Sequence, residues 1–186
     1  MGGGFSVAKS WAVVFLGVGG VGKTTYIYKL LGISKTPQLT RRPRTYFTDT
    51  ELGRLFLVDI PGQRATEVAK AYYEAARSYG LRLDLAVYMY SVVEPETLDA
   101  LWQIHEWAVR IPVARRILVG NKVDLAEELG VIVEGEDAAR GLGISAVYYT
   151  SALKGTYSKF GGYTHNQRHS IFNNYLWISP IASRAL

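Results

Sequence analysis

Short apolar runs punctuate the chain at residues 12–16, 55–58, 85–90, 117–119 and 144–149, each bounded by Gly, Asp, Asn or Arg. Apolar runs without alternation read as strands covered on both faces. Between them, residues 23–31, 64–79, 95–109 and 134–141 carry apolar positions at helical spacing. Strands that alternate with helices predict a parallel sheet closed by right-handed crossovers. One interval breaks the rhythm: 45–50 and 54–59 are both strand-like and only Glu51, Leu52 and Gly53 separate them. That pattern predicts a hairpin and an antiparallel edge strand. The expected architecture is a three-layer α/β fold, with a six-stranded, mostly parallel sheet, one antiparallel edge strand and helices on both faces. Residues 155–169 are polar and glycine-containing, whereas Ile171, Phe172, Tyr175, Leu176 and Ile178 have the spacing of a last helix ended by Pro180.

Composition narrows this picture. The 186 residues are 48% apolar and 20% charged, without repeats or a linker, so a single domain over 1–186 is expected. The net charge of +5, with a cluster at Arg41, Arg42 and Arg44, suits a polyphosphate or an anionic surface, and no nucleic-acid signature accompanies it. There are no cysteines, which excludes disulfides and thiolate metal sites. The longest apolar run, 11–18, is too short for a membrane span and has no leader-like flank, so a cytoplasmic location is expected. Gly2 followed by Ser6 matches the short N-myristoylation pattern, which glycine-rich termini also meet by composition. Peripheral membrane association is left open on that ground alone.

The chemistry begins at Gly17-Val18-Gly19-Gly20-Val21-Gly22-Lys23-Thr24, which satisfies G-x-x-x-x-G-K-[ST] between a predicted strand and a predicted helix. Glycines are needed there because backbone N–H groups must turn inward around phosphate oxygens at distances that a Cβ would obstruct. The contacts expected are Gly17, Gly19, Gly20, Val21, Gly22, Lys23, Thr24 and Thr25, with Lys23 bridging β- and γ-phosphates and the Thr24 hydroxyl on Mg²⁺. ATP and GTP proteins share this loop, so it does not select a base.

Asp59 ends the strand 55–58, at the sheet edge where open α/β folds bind ligands, and reads as a magnesium partner. Ile60-Pro61-Gly62-Gln63 completes D-x-x-G-Q. Gly62 would bring its N–H to a γ-phosphate, and Gln63 would orient the attacking water. A second threonine ligand for Mg²⁺ is sought among Thr36, Thr40 and Thr45. Thr40 is chosen because Thr45 falls inside or at the start of the edge strand. An arginine of the neighbouring cluster would be able to stabilise phosphoryl charge in cis, but the cluster reads more simply as a solvated basic loop.

Asn121-Lys122-Val123-Asp124 follows the strand at 117–120. A carboxylate at Asp124 accepts from the ring N–H and the amine of guanine, whereas adenine presents the opposite pattern. Lys122 would lay its stem over the base, and Asn121 would brace the loops. Ser151, Ala152 and Leu153 follow the next strand and would direct the Ala152 N–H to the guanine carbonyl.

Over residues 10–155 these motifs, in this order, resemble the Ras-like small GTPases. The interval from Thr40 to Asp59 is similar to the Arf-like branch, and Pro61 is similar to prokaryotic gliding-motility GTPases. Absent cysteine with many Tyr and Arg suggests a thermophilic, archaeal source. The resemblance implies a P-loop fold and a monomeric switch that hydrolyses GTP to GDP with Mg²⁺. Gln63 and Lys23 would be the catalytic residues, and an activating protein, an exchange factor and effectors are implied. Residues 33–44 and 60–71 would change order as the γ-phosphate is lost. The alternative is a GTP-binding assembly subunit with little or no hydrolysis. A P-loop kinase or ATPase is a third reading, which the guanine clamp opposes. His165 and His169 read as surface residues, Tyr72, Tyr73 and Tyr79 as a packing stripe, and Trp102 and Trp107 as core or helix-surface residues.

Overall fold

A computed structural model describes residues 10–50, 53–64, 66–67, 70, 83–144, 146–159 and 169–170. The elements are β1 (Ser10–Leu16), α1 (Lys23–Leu30), β2 (Arg44–Thr50), β3 (Gly53–Asp59), a 3₁₀ turn (Gly62–Arg64) and β4 (Leu83–Ser91). They continue with α2 (Pro95–Ala108), β5 (Val113–Asn121), α3 (Val123–Leu129), α4 (Glu136–Gly141), β6 (Val147–Ser151), β7 (Thr156–Lys159) and β8 (His169–Ser170). One sheet runs β2-β3-β1-β4-β5-β6-β7-β8. The pairs from β3 to β6 are parallel, and β2 pairs antiparallel with β3 through the register Arg44↔Asp59 to Thr50↔Gly53.

The strands are apolar throughout because both faces are covered. Val13 and Phe15 of β1 join Leu57, Val87, Met89 and Val119 beneath Tyr26, Ile27 and Leu30 of α1. Val14 and Leu16 turn the other way, with Tyr88, Tyr90 and Leu118, onto Leu98, Leu101 and Ile104 of α2, Ala126 of α3 and Ala139 of α4. Each fully buried Leu or Phe contributes about 1.5–3 kcal/mol relative to exposure, so these two clusters hold the layers together. β1 pairs with β3 on one side and with β4 on the other, so the direction in which strands are added reverses there. That reversal opens a crevice at the carboxyl ends of the central strands.

The six expected strands and the antiparallel edge are present, with four differences. β5 extends back to Val113 through two arginines, because the Arg116 guanidinium donates to the carbonyls of Ala108 (3.2 Å), Val109 (3.0 Å) and Ile111 (3.2 Å) at the end of α2. Ile144 is not a strand residue. Gly143 is left-handed (φ +65°), and the Ile144 N–H donates to Ala139 O (2.8 Å), so Ile144 seals the end of α4 and β6 starts at Val147. Beyond β6 the polar stretch folds back as β7 and β8, two further antiparallel strands where residues 155–169 had suggested no element. The short helix α3, also unexpected, starts in the guanine-clamp motif and ends at the left-handed Gly130.

The 64–79 helix is described at Thr66, Glu67 and Lys70. Lys70 lies 5.2 Å from the Trp107 ring centre, and Arg110 lies 4.8 Å from it. Trp102 is partly exposed, and its ring would meet any Cβ placed on Gly141. Gly2 and Ser6, the tyrosines at 72, 73 and 79, His165 and the helix expected at 171–178 lie outside the described residues. Among the described residues no helix is long and apolar enough to cross a membrane.

Candidate functional site

Residues 17–22 carry the chain from the end of β1 into α1, within the crevice. Gly22 caps α1 in a left-handed conformation (φ +97°), with no side-chain cap and no acidic residue in the first turn. The first N–H groups of the helix, which lack intrahelical partners, are therefore left to meet an anion. A Cβ on Gly22 would overlap Asn121 Nδ2. That contact matters because Asn121, buried to 3% exposure, donates from Nδ2 to Val21 O (2.7 Å). Its Oδ1 accepts from the Ala152 N–H (2.9 Å). One amide thus ties together the loops after β1, β5 and β6. The Ala152 N–H, expected on the base carbonyl, is engaged by Asn121 instead. Ser151 Oγ accepts from the Lys154 N–H (3.0 Å), and Leu153 stands 69% exposed on the same turn.

In the turn between β1 and α1, the Lys23 ammonium donates to Gly17 O and Val18 O, both at 2.8 Å. Burial lowers its pKa to about 8, against the opposing pull of Asp59. Asp59 is itself fully buried, and burial raises its pKa, with hydrogen bonds from Thr24, the Lys23 charge and Thr40 opposing. Its Oδ2 accepts from Thr24 Oγ1 (2.7 Å) and Thr40 Oγ1 (3.1 Å), and the two hydroxyl oxygens lie 2.8 Å apart. Asp59 Oδ1 is buried without a hydrogen-bond partner. Of the three candidate threonines, Thr40 is the one at this carboxylate: Thr36 is exposed, and Thr45 lies within β2 opposite Val58. Two hydroxyls and a carboxylate with a free buried oxygen are the hard donors that Mg²⁺ requires. No cluster of three or more His, Cys, Asp or Glu offers another kind of metal site among the described residues.

The cleft has a volume of about 250 Å³ and includes Gly19, Gly20, Thr25 and Gly62. Pro37, Gln38 and Leu39 also line it, and nothing in their residue types had pointed to a site. Gly62 approaches so closely that a Cβ there would overlap Gly19 N and the Val18 carbonyl. Gln63 follows in the 3₁₀ turn, its Cγ 3.8 Å from where a Gly19 Cβ would stand.

Just past β5, Lys122 is the one non-glycine residue with positive φ (71°) among those described. It caps α3 and places Asp124 in the first turn. Asp124 Oδ1 is buried and has no hydrogen-bond partner. Lys122 Nζ reaches Glu94 Oε2 at 2.6 Å. Glu94 escaped the sequence reading, although its place just past β4 and before Pro95 is another strand-end position at the same sheet edge.

The Lys23 shift sets a pH dependence. Between about pH 8 and the unfolded value near 10.5 the unfolded chain binds more protons at this lysine, so its contribution to stability rises with pH through that window. A polyphosphate held by this ammonium would move the opposite way, because its binding above about pH 8 would require proton uptake. Affinity for GDP, whose terminal phosphate is fully ionised above about pH 7, is expected to be level from about pH 7 to 7.5 and to fall by up to about 10-fold per unit above pH 8. Calorimetric titration across that range checks it, and a level profile to pH 9.5 would contradict it.

The family model described as 50S ribosome-binding GTPase matches residues 12–122, which run from β1 through the phosphate loop, Thr40 and Asp59 to Asn121 and Lys122. No curated protein matches the chain. With well over half of its residues in that match, and the matched motifs meeting in one crevice, the chain belongs to the P-loop GTPase superfamily through this family.

Proposed function

We propose that the protein binds GTP and GDP with Mg²⁺ in the crevice and hydrolyses GTP as a slow molecular switch. The observation that carries this reading is a pair of buried carboxylate oxygens without partners, Asp59 Oδ1 and Asp124 Oδ1. A buried, unsatisfied acceptor costs about 1–3 kcal/mol, more when charged, and persists where a ligand satisfies it. A divalent cation answers the first, and the paired N–H donors of guanine answer the second.

In this reading the N–H groups of residues 17–25 and the Lys23 ammonium hold the phosphates. Thr24, Thr40 and Asp59 hold Mg²⁺, which when bound neutralises charge on the phosphate oxygens. The Gly62 N–H faces the γ-phosphate, and Gln63 orients water toward it. Asp124 reads the base, and Lys122 covers it. The order of motifs supports a Ras-like placement within the superfamily, of Arf-like or gliding-motility type. Slow intrinsic hydrolysis calls for an activating protein and, for product release, an exchange factor; effectors would sense the segments around Thr40 and Gln63.

Single-turnover hydrolysis of GTP with Mg²⁺ tests the reading. Gln63→Leu is expected to slow hydrolysis by roughly 10²-fold with GTP affinity changed by less than about 3-fold. Tight GTP binding without Mg²⁺-dependent hydrolysis, unaffected by that change, would instead favour a GTP-binding assembly subunit.

A further inference from the structure

We infer that Glu94 is a positioning residue for the base pocket, whose carboxylate holds the Lys122 side chain across the base and thereby slows release of the guanine nucleotide. This rests on the guanine-binding reading of Asp124 and Lys122 above.

Three features single out the pair from an ordinary surface contact. The first is the position of Glu94 at the cap of α2, where a side chain normally serves the helix. Glu94 makes no cap hydrogen bond, and its carboxylate turns outward to a residue 28 positions away. The second is the conformation of Lys122. A left-handed backbone is unfavourable for a residue with a Cβ and survives where the surroundings hold it. α3 holds it from one side, through the Leu125 and Ala126 N–H groups on Lys122 O (3.0 and 3.1 Å), and Glu94 holds the tip of its side chain.

The third feature is the stiffness beneath both partners. The Val92 N–H donates to Asn121 O (2.9 Å), joining the two strand ends. Thr97 Oγ1 accepts from the Ser91 N–H (2.9 Å) and donates to Glu94 O (2.6 Å), fixing the backbone that carries Glu94. An exposed ion pair is weakened chiefly by the entropy of ordering two long side chains. Here both backbones are already ordered, so less is lost on pairing. The hydrogen bond from Lys122 also keeps the Glu94 carboxyl below its usual range.

The consequence for binding follows from the chemistry of lysine. Its methylene stem covers the flat, neutral base, while the ammonium seeks a partner at the rim. Glu94 supplies that partner, and the stem stays across the base instead of sampling solvent.

Dissociation of a fluorescent N-methylanthraniloyl GDP from the full chain, chased with excess GDP, tests this in wild type, Glu94→Gln, Glu94→Asp, Lys122→Gln and the Glu94→Gln/Lys122→Gln double variant. At 0.05 M salt Glu94→Gln is expected to speed release by roughly two- to five-fold, with Glu94→Asp intermediate. The double variant should release no faster than Lys122→Gln alone. The Glu94→Gln effect should shrink toward wild type at 0.5 M salt, where exposed pairs are screened. Thermal midpoints should agree within about 3 °C, since the carboxylate makes no cap hydrogen bond and its charge at the helix start is worth only about 0.3–1 kcal/mol. Wild-type release from Glu94→Gln, or effects that multiply in the double variant, would overturn the assignment of Glu94 while leaving guanine binding intact. Failure of the wild-type protein to bind the fluorescent GDP would overturn the guanine reading and this inference with it.

Discussion

Asp124→Asn is expected to lower affinity for GTP by roughly 10²–10⁴-fold and to shift preference toward xanthosine triphosphate, whereas ATP should bind neither form well. The carboxylate presents two acceptors, one of them buried and unpartnered. Guanine offers two donors in return, a ring N–H and an amine. Each hydrogen bond to a charged acceptor is worth about 1.5–3 kcal/mol. The asparagine side chain replaces one acceptor by an N–H₂ donor, which opposes the guanine amine but matches the oxygen that xanthine carries at that position. Asp124 also sits in the first turn of α3, so losing its charge costs the helix about 0.3–1 kcal/mol, far too little to account for the change in base preference. Calorimetric titration of both proteins with the three nucleotides reads the result. GTP affinity held within about 3-fold would remove Asp124 from the base site.

Lys23→Met separates binding from stability. Methionine keeps the unbranched apolar stem of lysine and drops the terminal ammonium, so the core contacts of α1 survive. What disappears is a buried ammonium with two carbonyl acceptors, poised beside a buried carboxylate. Because burial disfavours that charge, its removal is expected to change the unfolding free energy by no more than about 1–2 kcal/mol in either direction. The phosphates, by contrast, lose their one lysine in the loop. GDP and GTP affinities are expected to fall by at least about 10²-fold. Denaturant unfolding and nucleotide titration on the same sample check both halves. Retained affinity would mean that the N–H groups of residues 17–25 suffice.

Much of this was legible along the chain because its signals are local. The strand at 12–16 followed by four glycines and Lys23-Thr24 specifies a turn and a helix start within one stretch. The carboxyl ends of three strands place Asp59, Asn121 and Ser151 at one edge once the sheet is parallel. Other features were not legible, and each involves a balance that a local pattern does not record. Arg115 and Arg116 interrupt an apolar run, yet the strand continues because Arg116 answers carbonyls at the end of a different element. Ile144 reads as the start of a strand, but a left-handed Gly143 makes it the apolar seal of α4. Residues 156–159 have little apolar content because β7 pairs at the margin of the sheet, where backbone hydrogen bonding to β6 suffices.

The sequence by itself determined which groups are at hand, a glycine-rich loop ending in Lys23-Thr24, a strand-end aspartate and a carboxylate whose acceptors match the donors of guanine, since residue type and short spacing decide these. Only the tertiary structure decided how they are joined. Thr40, already chosen along the chain, meets Thr24 and Asp59 through one carboxylate oxygen and a shared hydroxyl contact. Asn121 takes the Ala152 N–H and braces Val21 from 100 residues away. Lys122 closes on Glu94. These contacts span 16 to 100 residues of chain, and their partners are brought together by the order of strands in the sheet, which apolar periodicity alone does not encode.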